Sequence, residues 1–388
     1  MRRALLSALG FTLLLLLGYG RDWLRLMRRP RLDRSAPLLS PQLPLVSVLI
    51  PARNEERVIG RCVRAALDQH YPHLEVVVVD DGSTDATATI LAQLAPHPDL
   101  RLLKGRPLPP GWAGKPNVCH QLAAVAQGEW LLFLDADTVP QPQLVTTLLA
   151  HAERRGLDMV TIFPFLELGS FWERAILPPF QAMLMDLYPV ERMDRPDTPP
   201  DQVLANGQCI LVRRTAYEAI GGHAAVAAEI LEDVHLAQAL RRAGYLVGGG
   251  DAMDCLHVRM YTSGREVVEG MAKHAHAGIR ASGLRAWLAV TRLIGLAFGP
   301  LTMLVVGLFT LTRGVRSLGI SLIALGILVQ AVAWGFWGTL YRRIYGLSPL
   351  HAPLWPFGLL AYLCIALRAI WRVTTGRGVV WKGRTYRR

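Results

Sequence analysis

An α/β fold, with membrane-spanning helices towards both ends of the chain, is predicted by three features of the sequence. Between residues 46 and 280, short apolar runs of strand length alternate with helical patterns, as in parallel βαβ units. Several of these runs end in acidic or turn residues, at the edge of an α/β sheet where ligands bind. Longer apolar runs of about bilayer-spanning length lie outside this region. The expected architecture is a Rossmann-like mixed sheet tied to a membrane.

Composition narrows the class of protein further. The 388 residues are 52% hydrophobic, which is more than a purely soluble enzyme requires. The net charge is +12, but the basic residues crowd beside the apolar runs, at residues 21–34 and 368–388. This placement is typical of cytoplasmic segments that face anionic lipid, so we predict no nucleic-acid partner. The five cysteines match neither zinc-site nor disulfide spacing, which indicates a reducing compartment.

The apolar runs divide the chain into five parts. They cover residues 4–19, 287–311, 318–340 and 354–371, and the first is an uncleaved anchor because a basic segment, not a cleavage site, follows it. We predict an anchor at 1–20, a basic and proline-rich linker at 21–45, the α/β domain at 46–280, a membrane region at 281–373 and a basic tail at 374–388. If the α/β domain and the basic tail both lie in the cytoplasm, one of the four apolar runs does not cross the membrane. The run at 287–311 is the candidate, because Gly299-Pro300 interrupts it.

The first predicted strands end in polar turns. The strand at 46–50 ends in PARNEE, and the strand at 75–79 ends in DDGSTD. A helix is expected at about 57–69, and another near Asp85 with Ser83 or Thr84 as its cap, so that its N-terminus faces an anion. A short strand follows at 100–103. The layout is that of a nucleotide-binding domain, without GxGxxG or GxxxxGK[ST].

Two further motifs suggest phosphate and metal chemistry. The apolar strand at 130–134 is followed at once by Asp135 and Asp137, which share one side of an extended chain. Paired carboxylates suit Mg²⁺ or Mn²⁺ shared with substrate phosphates, although an acidic loop is the plainer interpretation. Upstream, GWAGKPN places Lys115 just before a helix at about 118–126, where it suits a diphosphate. A surface lysine in a Gly-rich turn is the commoner explanation of that string.

Taken in order, PARNEE, VVVDDGSTD, GWAGKPN and FLDAD resemble the nucleotide-sugar half of family 2 glycosyltransferases with the GT-A fold, as far as about residue 280. GWAGK, the segment FWERAILPPFQAMLMDLYP and the terminal VVWKGRTY are similar to hopene-associated and carotenoid-type membrane glycosyltransferases. The resemblance implies that the nucleoside contacts Pro51, Ala52, Asn54, Glu55 and Asp81, that Lys115 lies beside the sugar diphosphate, and that Asp135 and Asp137 hold metal and diphosphate, with Asp137 the expected direct ligand.

The second half of the domain carries the other candidates. A strand is expected at about 158–165, and residues 169–188 are either an amphipathic segment in the headgroup plane or a core helix. Residues 205–212 resemble the family's acceptor-side segment. Glu232 and Asp233 open a helix, where carboxylates ordinarily serve the helix dipole. By resemblance, however, this acidic pair supplies the catalytic base, with Asp233 in that role and Glu232 beside it.

Arg259 and His257 are the last two candidate site residues. The QxxRW element of processive synthases is missing; Arg259 and Tyr261 stand in its region. Arg259 is a candidate to balance the leaving diphosphate, and His257 to touch the metal, although such residues beside a strand are usually structural. The missing element favours transfer of a single sugar over polymerisation.

The function predicted from the sequence is inverting transfer of one sugar from a nucleotide-sugar donor to a hydroxyl of a membrane lipid. Mg²⁺ or Mn²⁺ is the expected cofactor, and resemblance favours a terpenoid acceptor of carotenoid or hopanoid type. The protein is expected to be multi-pass in the cell membrane, with its catalytic domain cytoplasmic. A processive polysaccharide synthase remains an alternative. A catalytically silent scaffold is the other, but it should lack Asp137 or Asp233, and the chain has both.

Overall fold

The computed structural model describes residues 2–39, 42–375, 377, 379–381 and 384–386; side chains are described up to residue 275, from 283 to 375, and at 377. The predicted motif VVWKGRTY extends outside the described residues at positions 382 and 383. The helices are α1 Arg2–Arg28, α2 Ile59–Leu67, α3 Thr87–Leu94, α4 Gly114–Val125, α5 Leu144–Arg155, α6 Phe171–Leu187, α7 Arg214–Ala219, α8 Glu232–Arg242, α9 Gly264–Ser282, α10 Leu284–Thr312, α11 Arg316–Tyr345 and α12 Trp355–Thr374. The strands are β1 Val46–Ala52, β2 Leu74–Asp80, β3 Leu100–Lys104, β4 Trp130–Leu134, β5 Thr138–Pro140, β6 Met159–Phe163, β7 Phe165–Leu166, β8 Cys209–Arg213, β9 Val247–Asp251, β10 Leu256–Val258, β11 Val379–Trp381 and β12 Arg384–Tyr386.

The main sheet is mixed and has seven strands in the order β3-β2-β1-β4-β8-β6-β9. Only β8 runs against the others, pairing antiparallel with β4 and β6. In β1, Val46 lies opposite Leu74 of β2 and Trp130 of β4, so the carboxyl ends of these three strands meet at one edge. Every residue of β4 is buried because helices cover both faces, which explains its uninterrupted apolar sequence. The predicted mixed α/β sheet is confirmed.

Several predicted boundaries shift for local reasons. The strand expected at 158–165 is two strands, β6 and β7, divided at Pro164, which has no N–H to donate to a ladder. The helix expected near Asp85 starts at Thr87, and neither Ser83 nor Thr84 caps it. The Ser83 hydroxyl donates to the Asp80 carboxylate instead, because the loop folds back on its own strand. Helix α4 starts at Gly114, so Lys115 is in its first turn rather than before it.

Helix α6 shows that the segment 169–188 is largely a core helix with an exposed start. A capping box between Ser170 and Glu173 begins it, and Phe171 and Trp172 are exposed there, whereas most of the following apolar side chains are buried. Pro178 and Pro179 lie inside the helix and remove the N–H groups that would bond the carbonyls of Arg174 and Ala175.

Neighbouring helices compensate for these two prolines. The carbonyl of Arg174 accepts a hydrogen bond of 2.8 Å from the Tyr341 hydroxyl of α11. The carbonyl of Ala175 lies against Gly358 of α12, so closely that an added Cβ would come within 1.6 Å of its oxygen. The prolines therefore fix where α11 and α12 dock on α6, rather than ending the helix.

Within the residues that the structure describes, four helical segments are long and apolar enough to cross a membrane: α1, α10, α11 and the segment 349–374 that contains α12. Gly299-Pro300 does not interrupt α10, which is continuous from Leu284 to Thr312. Pro300 is tolerated there because packed neighbours surround it. Gly307, Gly319 and Gly326 let α10 and α11 approach closely, since a Cβ on any of them would lie 3.1 Å or less from the facing helix.

The domain is attached to these helices by charged contacts. Helix α1 runs through Arg28, past the predicted anchor boundary at residue 20, because Arg21 pairs with Asp186 of α6 and the apolar side chain of Leu26 is buried. Arg292 of α10 bonds the same Asp186 at 2.8 Å and Asp22 of α1 at 2.9 Å. Helix α12 instead lies along the domain, against α6 and α9.

Candidate active site

A cavity of about 220 Å³ lies where β1, β2 and β4 end, and we call it the strand-end cavity. Parallel neighbours end at the same edge of the sheet, so residues far apart in sequence meet there. It brings together most of the residues proposed from the sequence: Pro51, Ala52, Glu55, Asp81, Lys115, Asp135, Asp137, Glu232 and Asp233.

The turn after β1 is locked to the loop after β2. Asn54 has a φ of 53°, in the left-handed region that asparagine tolerates better than most residues. Its side-chain oxygen accepts a 2.8 Å hydrogen bond from the Thr84 amide, and its own amide donates to the Ser83 hydroxyl at 2.9 Å. Asn54 is outside the cavity lining, and these hydrogen bonds hold the turn in shape. Arg53, which the sequence did not single out, lines the cavity and donates to the Asp81 carbonyl.

Lys115 connects the end of β4 with the first turn of α8. Its ammonium lies 2.6 Å from Oδ1 of Asp135, at the end of β4, and 3.1 Å from Oε1 of Glu232, in the first turn of α8. It also donates to the Gly207 carbonyl at 3.3 Å. Burial alone would lower the pKa of Lys115, but Asp135 and Glu232 raise it well above its ordinary value. Lys115 is therefore a cation held between two carboxylates.

Asp233 is oriented by two backbone amides. Oδ2 accepts a 2.7 Å hydrogen bond from the Gly207 amide, and Oδ1 accepts one of 2.8 Å from the Val234 amide. Burial, and secondly the neighbouring Glu232, raise the pKa of Asp233 to about 6, while Lys115 and the two amides work against this shift. A carboxylate with this pKa is ionised at neutral pH and is a better proton acceptor than an ordinary aspartate.

The carboxylates fit a divalent cation that is shared with a substrate. Asp135 and Asp137 both line the strand-end cavity, and hard oxygen donors of this kind suit Mg²⁺ or Mn²⁺. Within the described part of the chain, no group of three or more histidine, cysteine or acidic side chains is arranged to hold a metal. Mg²⁺ is commonly held by one or two carboxylates plus substrate phosphates, so this set fits a cation bound together with a diphosphate.

Two of the predicted residues lie elsewhere. Arg259 is beside the buried Glu173 at the start of α6, with 3.9 Å between Nε and Oε1, and packs against Gly169. His257 lies in the small second sheet, 3.8 Å from Glu167, and its ring contacts Phe165. Neither residue lines the strand-end cavity. Arg259 directly follows the short strand β10 and lies beside α6. The sequence pattern could not indicate this placement.

Helix α9 supplies two cavity residues that sequence reasoning missed. Lys273 and His274, both in α9, line the strand-end cavity. Burial lowers the pKa of both side chains, that of His274 to about 3. Their signal in the sequence is weak, since a lysine and a histidine in the middle of an amphipathic helix are ordinary surface residues.

A second cavity, of about 340 Å³, adjoins the first, and we call it the apolar cavity. Residues of helices α6, α9, α10 and α12 contribute to its lining. Most of this lining is apolar, including Phe180, Leu184, Val290 and Leu363. Five residues line both cavities, namely Asn206, Gln208, Leu231, Asp233 and His274. At its other end, Trp287 and Leu367 line it and are also exposed on the outside of α10 and α12. The lining of the apolar cavity thus includes both Asp233 and side chains exposed on the outside of α10 and α12.

Comparison with known proteins agrees with this arrangement. Residues 47–221 match the family model of glycosyl transferase family 2, a stretch that includes Asp135 and Asp137 and ends before Glu232. Two similar relatives are 4,4'-diaponeurosporenoate glycosyltransferases of Staphylococcus aureus, from strains USA300 and MRSA252. Each is 26% identical, over 354 and 355 residues, and each alignment covers 88% of both chains.

A similar solved structure is a mannosyltransferase of Pyrobaculum calidifontis in complex with GDP-Man and Mn²⁺. It superposes with a TM-score of 0.54 at 18% identity, covering 95% of this chain and 98% of that one. The fold is therefore GT-A, with apolar helices in the N-terminal and C-terminal regions. Residues 47–221 thus match the domain model of glycosyl transferase family 2, as the motifs predicted, and the matches together identify the protein as a glycosyltransferase.

Proposed function

We propose that the protein transfers a single sugar from a nucleotide-sugar donor to an isoprenoid lipid, with inversion at the anomeric carbon. One observation carries this proposal: Asp233 lines both the strand-end cavity and the apolar cavity. A donor in the first and an acceptor in the second would meet at the one side chain that is suited to remove a proton.

The strand-end cavity is the donor site in this proposal. Pro51, Ala52, Glu55 and Asp81 surround the nucleoside, and Asp135 and Asp137 hold the diphosphate together with Mg²⁺ or Mn²⁺. When bound, the cation would supply electrostatic stabilisation of the charge on the departing diphosphate. Support comes from the carboxylate pair at the end of β4 and from the Mn²⁺ and GDP-Man in the mannosyltransferase of the same fold.

Asp233 acts as the general base. An acceptor hydroxyl at the mouth of the apolar cavity gives its proton to Asp233 while its oxygen bonds to the anomeric carbon from the side opposite the diphosphate. The bond from that carbon to the phosphate oxygen breaks, and its electron pair leaves with the nucleoside diphosphate. The amides of Gly207 and Val234 hold the carboxylate in place throughout. Glu232 holds Lys115, and through it Asp135, rather than the proton.

The apolar cavity holds the reacting end of the acceptor. Its volume of about 340 Å³ and its opening beside Trp287 and Leu367 suit one end of a long hydrocarbon whose remainder stays in the bilayer. The names of the Staphylococcus aureus relatives denote a carotenoid carboxylate, which supports an isoprenoid acceptor. A silent scaffold is disfavoured because the carboxylates of Asp137 and Asp233 are both present in the cavity lining.

We place the catalytic domain in the cytoplasm, with α1, α10 and α11 as the membrane spans and α12 against the domain. After the domain, the chain would cross the membrane outwards through α10 and back through α11. Because α12 does not cross, the basic tail then lies on the same cytoplasmic side as the domain. This topology is supported by the packing of α12 along α6 and α9, where the Tyr362 ring lies 5.3 Å from the Phe180 ring. The non-spanning helix would then be α12, not the run at 287–311.

Cysteine labelling in whole cells tests this topology. In a Cys364→Ser background, Arg316→Cys should react with an impermeant maleimide, whereas Leu350→Cys and Arg377→Cys should react only after permeabilisation. A reversed pattern for positions 316 and 350 would mean that α10 is the helix that does not cross. Labelling of position 377 from outside would mean that all four helices cross.

The transfer itself is tested with membranes that express the chain. They are incubated with several radiolabelled nucleotide sugars and with a carotenoid alcohol, a carotenoid carboxylate or a hopanoid alcohol. We expect label from one donor to enter the organic extract with a fixed ratio of one sugar per lipid. Label in a water-soluble polymer would support the processive alternative, and no transfer with any donor would contradict the proposal.

A further inference from the structure

Lys273 is a cation of the strand-end cavity to which the proposed mechanism gives no role. The cavity is strongly acidic, because Glu55, Asp81, Asp135, Asp137, Glu232 and Asp233 all line it. An anionic diphosphate enters such a cavity only if cations offset these carboxylates. The lining supplies Arg53, Lys115 and Lys273 for that purpose.

Two of these three cations are engaged within the protein. Arg53 donates to the Asp81 carbonyl, and its guanidinium is 3.7 Å from the Asp81 carboxylate. Lys115 is held between Asp135 and Glu232 at 2.6 and 3.1 Å. Among the side chains that the structure describes, by contrast, no carboxylate lies within 4.0 Å of the Lys273 ammonium. Lys273 is partly buried, and this partial burial is not offset by a direct ion pair, which is an unfavourable arrangement that a bound anion would complete.

The position of Lys273 indicates which of the two proposed substrates it would contact. It lines the strand-end cavity but not the apolar cavity, so it faces the donor rather than the acceptor chain. The carboxylates whose charge acts on Lys273 are Glu232, Asp135 and Asp233, to all of which the proposed mechanism gives a role. Arg259, which the sequence proposed for the diphosphate, lies on Glu173 instead.

We propose that Lys273 binds the diphosphate of the nucleotide-sugar donor and neutralises the charge that develops there as the sugar–phosphate bond breaks. This inference rests on the proposed function and adds to it a binding residue on α9. The helix joins the domain to α10, so the residue that completes the donor site is carried by the element next to the membrane.

The test measures nucleotide binding to the full-length protein in detergent by calorimetry. Lys273→Met removes the charge but keeps much of the length and apolar stem of the side chain. We expect it to weaken binding of a nucleoside diphosphate, found from a panel of UDP, GDP, ADP and dTDP, by about ten- to a hundredfold, the range of a hydrogen bond to a charged group. Binding of the matching nucleoside monophosphate should not change, and Lys273→Arg should restore most of the diphosphate affinity.

Arg265→Met is the matched control. Arg265 is on the same helix, pairs with Glu269 and is 87% exposed, so its loss should leave diphosphate binding unchanged. Equal loss of diphosphate and monophosphate binding in Lys273→Met, with a lowered melting temperature, would overturn the proposal and make the lysine structural. Unchanged diphosphate binding would overturn it while leaving the proposed function intact. If the unaltered protein binds no nucleoside diphosphate, the inference and the proposed function both fail.

Discussion

Replacing Asp233 by asparagine should make the protein more stable and nearly inactive. The raised pKa means that the folded protein disfavours the ionised carboxylate. A shift from the ordinary 3.8 to about 6 corresponds to about 3 kcal/mol at 1.36 kcal/mol per unit. Asparagine has no charge, but it keeps only one of the two oxygens that accept the amides of Gly207 and Val234. Losing one such hydrogen bond costs about 0.5–1.5 kcal/mol.

The stability difference between the two proteins should depend on pH with a definite sign. Because the folded-state pKa of Asp233 is raised, the wild-type protein loses stability as pH rises from about 4 to about 6, while the variant does not. Above pH 7, Asp233→Asn should therefore be more stable by about 2 kcal/mol, and at pH 4 or below it should be equal or slightly less stable. Thermal unfolding in detergent across this pH range measures both effects. A variant that is less stable at pH 8 would refute the burial argument.

The activity of Asp233→Asn should fall by about a hundred- to ten-thousandfold at saturating donor, with nucleoside diphosphate affinity unchanged. The wild-type kcat/KM should also fall as pH drops through about 6, because the protonated carboxyl cannot accept a proton. Glu232→Gln should cost less, since Glu232 contacts Lys115 rather than the reacting atoms. If Glu232→Gln is the more damaging change, the base is misassigned; if both variants stay active, the pair is only a helix start.

Three other outcomes are expected. EDTA should abolish transfer and Mn²⁺ or Mg²⁺ restore it, and Asp137→Asn should be inactive but folded; full activity in EDTA would contradict the metal assignment. Leu363→Trp should fill the apolar cavity and raise the acceptor KM at least about tenfold, with donor affinity unchanged. The control Leu360→Trp, on an exposed face of the same helix, should leave the acceptor KM unchanged. Joint replacement of Phe171 and Trp172 by serine should impair use of a lipid acceptor more than donor hydrolysis; a lowered melting temperature with equal loss of both would make them core residues.

The carboxylate in the name of the Staphylococcus aureus relatives gives the Asp233 experiment a second use. A hydroxyl acceptor must lose a proton as it attacks, whereas a carboxylate acceptor has none to lose at neutral pH. With a carboxylate substrate, Asp233→Asn should cost much less than a hundredfold, and the fall in rate below pH 6 should disappear. That result would retain the two cavities and their ligands but remove the general base from the mechanism.

The strand-end cavity was predictable because most of its predicted residues follow directly after strands of the main sheet. β1, β2 and β4 are parallel neighbours, so the turns after Ala52, Asp80 and Leu134 meet without any long-range information beyond strand order. Asn54 shows what a motif alone does not indicate. Its left-handed backbone and its bonds to the next loop fix the shape of the turn, while its contact with the nucleoside stays a prediction.

The apolar cavity could not be predicted in this way, because α6, α9, α10 and α12 form it by packing on one another. Prolines such as Pro178 and Pro179 ordinarily kink or end a helix, yet the carbonyls that they leave without an intrahelical partner are where Tyr341 and Gly358 dock. The family match ends at residue 221, so α9, α10 and α12 lie beyond it. Chains that share the donor motifs are therefore free to differ in these helices, and acceptor choice should follow the lining of the apolar cavity rather than the motifs that identify the family.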